Sequence, residues 1–184
     1  RFIAVLREPV SRDLSWYNHQ VSIKKFFDRR HKYPTDYTTY SKSNLQAAAK
    51  ARGRAGGHLL WQGQYATHLK WWWNIWGQNS TIVFNFDSFI HEPEDTFFRL
   101  AKFLGADPAP WRNFTLPREN ARSHEGKVHI QDVDPSICKE LKEHFSEPNE
   151  QLYKMLRDAG SLPPEMPPFK PFKDPCAPKK PKNR

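Results

Sequence analysis

The sequence predicts an α/β domain with parallel strands, because two apolar runs are separated by segments of helical periodicity. Phe2–Leu6 is a short, continuous apolar run of the kind found in strands covered on both faces. A second run of the same character, Thr81–Phe86, follows segments of helical periodicity. Parallel strands need a long crossover connection, usually helical, so this order of elements favours a parallel sheet flanked by helices.

The first half of the chain is predicted to be mostly helical after the first strand. Pro9 suits a first helical position, and a helix is expected from about Val10 to Arg29. His31–Ser43 shows little periodicity and is interpreted as a loop, followed by a short helix over Asn44–Arg52 and a longer one over Gln64–Trp76. The inward positions expected for the first helix are Leu14, Tyr17, Val21 and Phe27.

The second half is predicted to hold two further helices. Pro93–Leu104 is expected to end at Gly105, and Pro135–Ala159 carries Pro148 as a candidate break.

The helix before the second strand has four tryptophans within six positions, and most of them are expected to pack in the core. These are Trp71, Trp72, Trp73 and Trp76.

The composition excludes several classes of protein. Lys and Arg number 29 against 20 Asp and Glu, and mean hydropathy is −0.84, but an aromatic content of 14% argues against a disordered chain. The apolar runs are too short to span a bilayer. Cys138 and Cys176 are too few for a disulfide scaffold or a cysteine-built zinc site, and their pairing is left open.

Two regions of different composition are expected. Residues 1–161 form the folded domain, and residues 162–184 hold eight of the sixteen prolines with a local charge of +4. Such a stretch forms neither a helix nor a central strand, so it is interpreted as an extended, solvated tail. Because the chain starts at Arg1 with a strand already under way, it is expected to be part of a longer protein.

The segment Arg7–Gln20, REPVSRDLSWYNHQ, carries the clearest chemical signal. Arg7 lies at the carboxyl end of the first strand, which is where ligands bind in open α/β sheets. The N-terminus of the following helix and a guanidinium together favour an anion. Arg12, Ser15 and His19 are spaced to share one helical face, which suits a phosphate or sulfate ester but equally a polar outer face.

This segment resembles the 3′-phosphate-binding segment of sulfotransferases that use 3′-phosphoadenosine 5′-phosphosulfate (PAPS), and most of all the heparan sulfate sulfotransferases. The resemblance implies that Arg7 and Ser15 bind the 3′-phosphate of the donor. The stretch SWYNHQ is similar to the sulfotransferase domain of N-deacetylase/N-sulfotransferases, which implies an acceptor-side catalytic role for His19. A second family histidine would fall on Ile23 and is absent.

Two later stretches extend the resemblance over roughly residues 2–159. One carries Gly63, Tyr65, His68 and Trp72 in the family register. The other resembles the donor-covering loop, in which Gly126 and Lys127 are implied to bind the donor and Glu125 replaces a family lysine.

The family resemblance carries further expectations. They are a P-loop-like sulfotransferase fold with a parallel central sheet, present as a partial domain, with PAPS as donor, PAP as product and no metal. The acceptor would be an acidic or amino-sugar glycan, with no nucleic acid as partner. The Lys that contacts the 5′-phosphosulfate and the main catalytic base would lie upstream of Arg1, as would the membrane anchor of a Golgi-lumenal type II protein.

Two alternatives stay open from the sequence. A catalytically silent relative that binds PAP or glycan is favoured by Glu125. A basic nucleic-acid-binding module is permitted by the net charge of +9, although none of its usual motifs occurs.

Overall fold

The structure is a computed structural model that describes residues 1–23, 36–51, 58–112, 127–160 and 169–177. The chain packs as two compact units. The sheet unit comprises Arg1–Glu8, Tyr65–Ala121 and Pro148–Phe172, and the helical unit comprises Pro9–Gln64, Arg122–Glu147 and Lys173–Arg184.

Within these residues two strands are separated by helices and followed by helices, an order found in α/β proteins. The strands are β1 (Phe2–Leu6) and β2 (Thr81–Asn85), and a 3-10 helix covers Leu59–Gly63. The α-helices are α1 (Pro9–Ile23), α2 (Tyr37–Ala51), α3 (Tyr65–Trp76), α4 (Phe86–His91), α5 (Pro93–Leu104) and α6 (Pro135–Ala159). None of the described helices is both long and apolar enough to cross a bilayer.

The sheet unit is built on a parallel pair of strands, which confirms the predicted fold class. β1 pairs with β2 in a register that sets Phe2 beside Thr81 and Leu6 beside Asn85. One face of the pair packs Leu6 against Leu69 of α3 and Leu152 of α6. On the other face, the buried β2 residues Ile82 and Phe84 pack against Phe103 of α5.

The prediction that most of the tryptophans of α3 pack in the core is wrong. Trp71, Trp72 and Trp76 are 50%, 49% and 56% exposed, because the buried side of α3 is formed by the smaller Ala66 and Leu69. On the surface, Trp72 and Trp76 contact the ring of Phe2, with centroids 5.0 and 5.6 Å apart. Next to Phe2 in sequence, Ile3 of β1 is also half-exposed.

The helical unit has its own core, in which α1, α2 and α6 bury their apolar sides. Leu14 and Tyr17 of α1 are buried as expected, Val21 packs against them, and the expected inward Phe27 lies outside the described residues. Their neighbours in this core include Ile137, Leu141 and Phe145 of α6.

The interpretation of residues 31–43 as a loop is wrong for its last part, because α2 begins at Tyr37. The Oδ1 atom of Asp36 accepts a hydrogen bond from the amide of Thr39 at 2.7 Å, as a helix-capping carboxylate does. The inward positions of the first turns are Tyr37, Tyr40 and Ser41 rather than aliphatic residues. Hydrophobic periodicity therefore gave no signal there. α6 likewise continues through Pro148 without the break that the sequence suggested.

The close approach of Gly63 to Phe145 gives a stability prediction. A Cβ atom on Gly63 would lie 2.6 Å from Phe145 Cε1 and 3.2 Å from Pro9 Cβ, so Gly63→Ala forces a buried ring to move. We expect a loss of roughly 2 kcal/mol in the free energy of unfolding, measured by urea denaturation. The double variant Gly63→Ala/Phe145→Leu makes room for the methyl group and should lose less than the sum of the two single changes. An unchanged stability of Gly63→Ala would contradict this packing.

The interpretation of the Pro-rich segment as a solvated tail is wrong for residues 169–177. Phe169 and Phe172 pack against Tyr153 in the sheet unit, and the amide of Phe172 donates to the Tyr153 hydroxyl at 3.0 Å. Cys176 forms a disulfide with Cys138 of α6 in the helical unit. The segment has no helix or strand over residues 169–177, and two aromatic side chains and a covalent bond contribute to holding it in place.

Candidate functional site

Arg7 lies directly after β1, at the carboxyl end of the strand, where the sequence predicted it. The hydroxyl of Tyr65 donates to the Arg7 carbonyl at 2.8 Å and fixes the backbone as it leaves the strand. The guanidinium carbon lies 5.2 Å from the ring centroid of Phe86, a cation–π contact that holds the half-buried side chain in place.

The electrostatics around Arg7 leave its guanidinium able to bind an anion. Burial lowers its pKa, and the carboxylates of Glu8 and Asp87 oppose that shift. An arginine stays charged under such perturbation. Among the described residues no carboxylate lies within ion-pair distance of this guanidinium. Its fork of N–H donors is thus available to a phosphate.

Ser15 and His19 lie on the exposed side of α1 in the helical unit, four residues apart and therefore on one helical face. The His19 ring contacts Trp16 at a centroid distance of 5.8 Å, and its carbonyl accepts a hydrogen bond from the Ser22 hydroxyl at 2.8 Å. Both side chains are exposed to solvent, as groups that bind a ligand must be.

Arg12 differs from Ser15 and His19, although its spacing in the sequence predicted that all three share one helical face. Its guanidinium donates to the side chain of Gln62 in the 3-10 helix, so it connects α1 to the rest of the helical unit. Of the three residues, Arg12 therefore has a structural contact, whereas Ser15 and His19 are exposed.

Next to Arg12, Asp13 is a buried carboxyl that sequence reasoning missed. It is 1% exposed and accepts hydrogen bonds from the hydroxyls of Tyr37 and Tyr40, at 2.9 and 3.2 Å. Burial raises the pKa of Asp13 to about 6, against the effect of these two hydrogen bonds and of the Arg12 charge. The group anchors α1 to α2 and stays beneath the exposed face that carries Ser15.

Lys127 is exposed in the helical unit, and its predicted partner Gly126 lies outside the described residues. The residue after Lys127 is bound to α1 through a second residue that the sequence analysis missed, Asn18. Its side-chain nitrogen donates to the Val128 carbonyl at 2.8 Å, and its side-chain oxygen accepts from the Val128 amide at 2.9 Å. Lys127 is thereby connected to the helix of Ser15 and His19.

A groove of about 870 Å³ runs along α3 and the last turns of α6 in the sheet unit. None of Arg7, Ser15, His19 or Lys127 lines it, so it is separate from the candidate site. Its lining includes Lys70, Trp71, Asn74, Lys154 and Asp158.

Comparison with known proteins decides the family. Residues 1–131 match the family model described as "Sulfotransferase domain", which is more than two thirds of the chain and includes Arg7, Ser15, His19, Gly126 and Lys127. The chain belongs to the sulfotransferase family. Members of this family generally use PAPS as their donor.

The fold of this sulfotransferase chain is similar to a solved structure. A sulfotransferase from Alicyclobacillus acidocaldarius superposes with a TM-score of 0.55 at 22% sequence identity, over 84% of this chain. At that identity the likeness supports the fold alone. The chain spans 53% of the length of that bacterial protein.

Proposed function

We propose that this sulfotransferase chain belongs to an enzyme that moves a sulfuryl group from PAPS to an amine or hydroxyl of a glycan, with a heparan-sulfate-like glycosaminoglycan as acceptor. The observation that carries the proposal is Arg7, whose guanidinium lies at the carboxyl end of a parallel strand with no ion-pair partner among the described residues. The family match supports the donor, and the resemblance of SWYNHQ supports the acceptor class.

In this proposal Arg7 and Ser15 bind the 3′-phosphate of the donor. A charge-assisted bond from a guanidinium is among the stronger contacts available to a phosphate, and the serine hydroxyl adds a directional donor. Because the 3′-phosphate is remote from the transferred group, these contacts position the donor rather than stabilise the developing charge. The family resemblance adds Gly126 and Lys127 as contacts of the nucleotide, where Lys127 contributes a positive charge.

The transfer itself breaks the bond between sulfur and the bridging phosphate oxygen and forms a new bond from sulfur to the acceptor nitrogen or oxygen. The acceptor loses a proton in the same reaction. In this proposal His19 contacts the acceptor, where its exposed ring binds that group or assists in removing its proton. PAP leaves with the electrons of the broken bond, and no metal takes part.

Arg7→Ala is expected to weaken the binding of PAP by roughly 10- to 100-fold, the loss of a charged hydrogen-bonding group. Isothermal titration of the whole chain with PAP, which is also called 3′,5′-ADP, measures this affinity. Arg7→Lys keeps the charge but loses the planar fork, so its affinity should fall between those of Ala and wild type.

The matched control for this experiment is Arg157→Ala, which removes an exposed arginine from α6 in the same unit. It should bind PAP as wild type does. Wild-type chain that binds no PAP, or an Arg7→Ala variant as tight as wild type, would refute the donor assignment.

For the compartment we propose the lumen of the Golgi, with a membrane anchor outside this chain. The Cys138–Cys176 disulfide supports an oxidising compartment, because such bonds are rare in the cytosol. Asn79 in Asn79-Ser80-Thr81 is exposed, as an N-glycosylation acceptor must be. Loss of mass on treatment with a glycosidase specific for N-glycans, after expression in secretory cells, tests this assignment.

A catalytically silent relative is the second candidate, favoured by Glu125 where the family has a lysine. Product analysis of the full-length protein with labelled donor and a panel of glycans separates the two. Labelled glycan supports the transferase and identifies N- or O-sulfation. PAP binding without labelled product supports the silent relative.

A further inference from the structure

The paired hydrogen bonds between Asn18 and Val128 join two segments that are 110 residues apart in the sequence. The side-chain amide of Asn18 satisfies both the N–H and the C=O of a single residue. Such a two-point contact fixes the direction of the bound backbone as well as its distance, whereas one hydrogen bond would let it rotate.

The segment bound in this way is otherwise docked by apolar contacts. Val128 and Ile130 pack against the core of the helical unit, and Val133 is buried within it. These side-chain contacts hold the segment on the unit from Val128 onward. The hydrogen bonds from Asn18 hold the backbone of Val128, the residue next to Lys127, and they come from the helix that carries Ser15 and His19.

We propose that Asn18 is a positioning residue for donor binding: its amide binds the backbone of Val128 and so holds Lys127 next to α1. The inference rests on the proposed function, in which Lys127 and Ser15 contact the same nucleotide. Two groups that bind one ligand lose less entropy when they are already held together, so the Asn18–Val128 pair raises affinity by preorganisation.

The test is a double-variant cycle on PAP affinity, measured by isothermal titration of the whole chain. Asn18→Ala and Lys127→Ala should each weaken PAP binding by about tenfold. Asn18→Ala/Lys127→Ala should be no weaker than Lys127→Ala alone, because Asn18 acts through Lys127. Asn18→Asp keeps the acceptor for the Val128 amide and loses the donor, so its affinity should be intermediate.

The control Asn74→Ala makes the same change at an exposed position of α3 and should leave affinity unchanged. Thermal unfolding of each variant reports any loss of stability. A loss of affinity caused only by lower stability would also occur when Lys127 is already replaced by alanine. Additive losses in the cycle, or wild-type affinity in Asn18→Ala, would overturn the inference. If the wild-type chain binds PAP and Arg7→Ala weakens that binding, either of these results refutes only the role of Asn18 and leaves the proposed function standing. If the wild-type chain binds no PAP, the proposed function and the role of Asn18 are both refuted.

Discussion

Reduction of the Cys138–Cys176 disulfide should lower the free energy of unfolding by about 4 kcal/mol. The bond joins residues 38 positions apart, and a crosslink over a loop of that length removes a corresponding entropy from the unfolded chain. Without it, the end of the Pro-rich segment in the helical unit keeps the ion pair of Asp174 with Lys142 at 2.5 Å, an exposed pair that contributes little. Urea denaturation with and without dithiothreitol measures the loss.

The control for reduction is the double variant Cys138→Ser/Cys176→Ser. It should unfold at the urea concentration of reduced wild type and should not respond to dithiothreitol. A wild-type chain whose midpoint is the same in both conditions would show that the bond contributes nothing to stability.

Asp13→Asn is expected to remove a pH dependence of stability worth about 3 kcal/mol. The folded carboxyl has a pKa of about 6 against an unfolded value of 3.8, so between these values the folded state holds more protons. The stability that Asp13 contributes is therefore fully present below pH 3.8 and is lost as the pH rises through about 6. The difference of about two between the folded and unfolded pKa values converts to that energy.

Urea denaturation from pH 3.5 to pH 8 tests this for wild type and Asp13→Asn. The free energy of unfolding of Asp13→Asn, relative to that of wild type, should rise as the pH increases from 3.5 to 8. Asp13→Ala removes the charge as well, but it also removes the oxygens that accept hydrogen bonds from the hydroxyls of Tyr37 and Tyr40, so it should be less stable than the asparagine variant throughout. A difference between wild type and Asp13→Asn that is constant with pH would contradict the assignment.

The strands and most helices could be predicted because their inward residues are aliphatic or their ends carry strong signals. Phe2–Leu6 is continuous and apolar, and α5 runs from Pro93 to the residue before Gly105, whose φ of 76° suits glycine. The start of α2 could not be predicted this way, because Tyr37 and Ser41 face inward and carry no hydrophobic period.

The tryptophans of α3 show the limit of reasoning from residue type. Large aromatic side chains are usually buried, but which side of a helix is covered depends on neighbours far away in the chain. Here the covered side holds Ala66 and Leu69, and the rings of Trp71, Trp72 and Trp76 remain half-exposed. Nothing local in the sequence states this.

The candidate site likewise has a part that could be predicted from the sequence and a part that could not. The position of Arg7 at a strand end and the shared face of Ser15 and His19 follow from local pattern and from family resemblance. Asn18 lies between Ser15 and His19 in the sequence, but its partner is the backbone of Val128. Hydrogen bonds from a side chain to a distant backbone leave no periodicity or motif, so only the three-dimensional structure reveals them.

The half-exposed indoles of α3, three of the seven tryptophans of the chain, also contribute to its intrinsic fluorescence. Trp71, Trp72 and Trp76 meet water in the folded state, so their emission is already red-shifted and open to quenching by acrylamide. A molecule that settles on this side of α3 would instead shift the emission to the blue, so the chain carries its own optical reporter for whatever covers that surface.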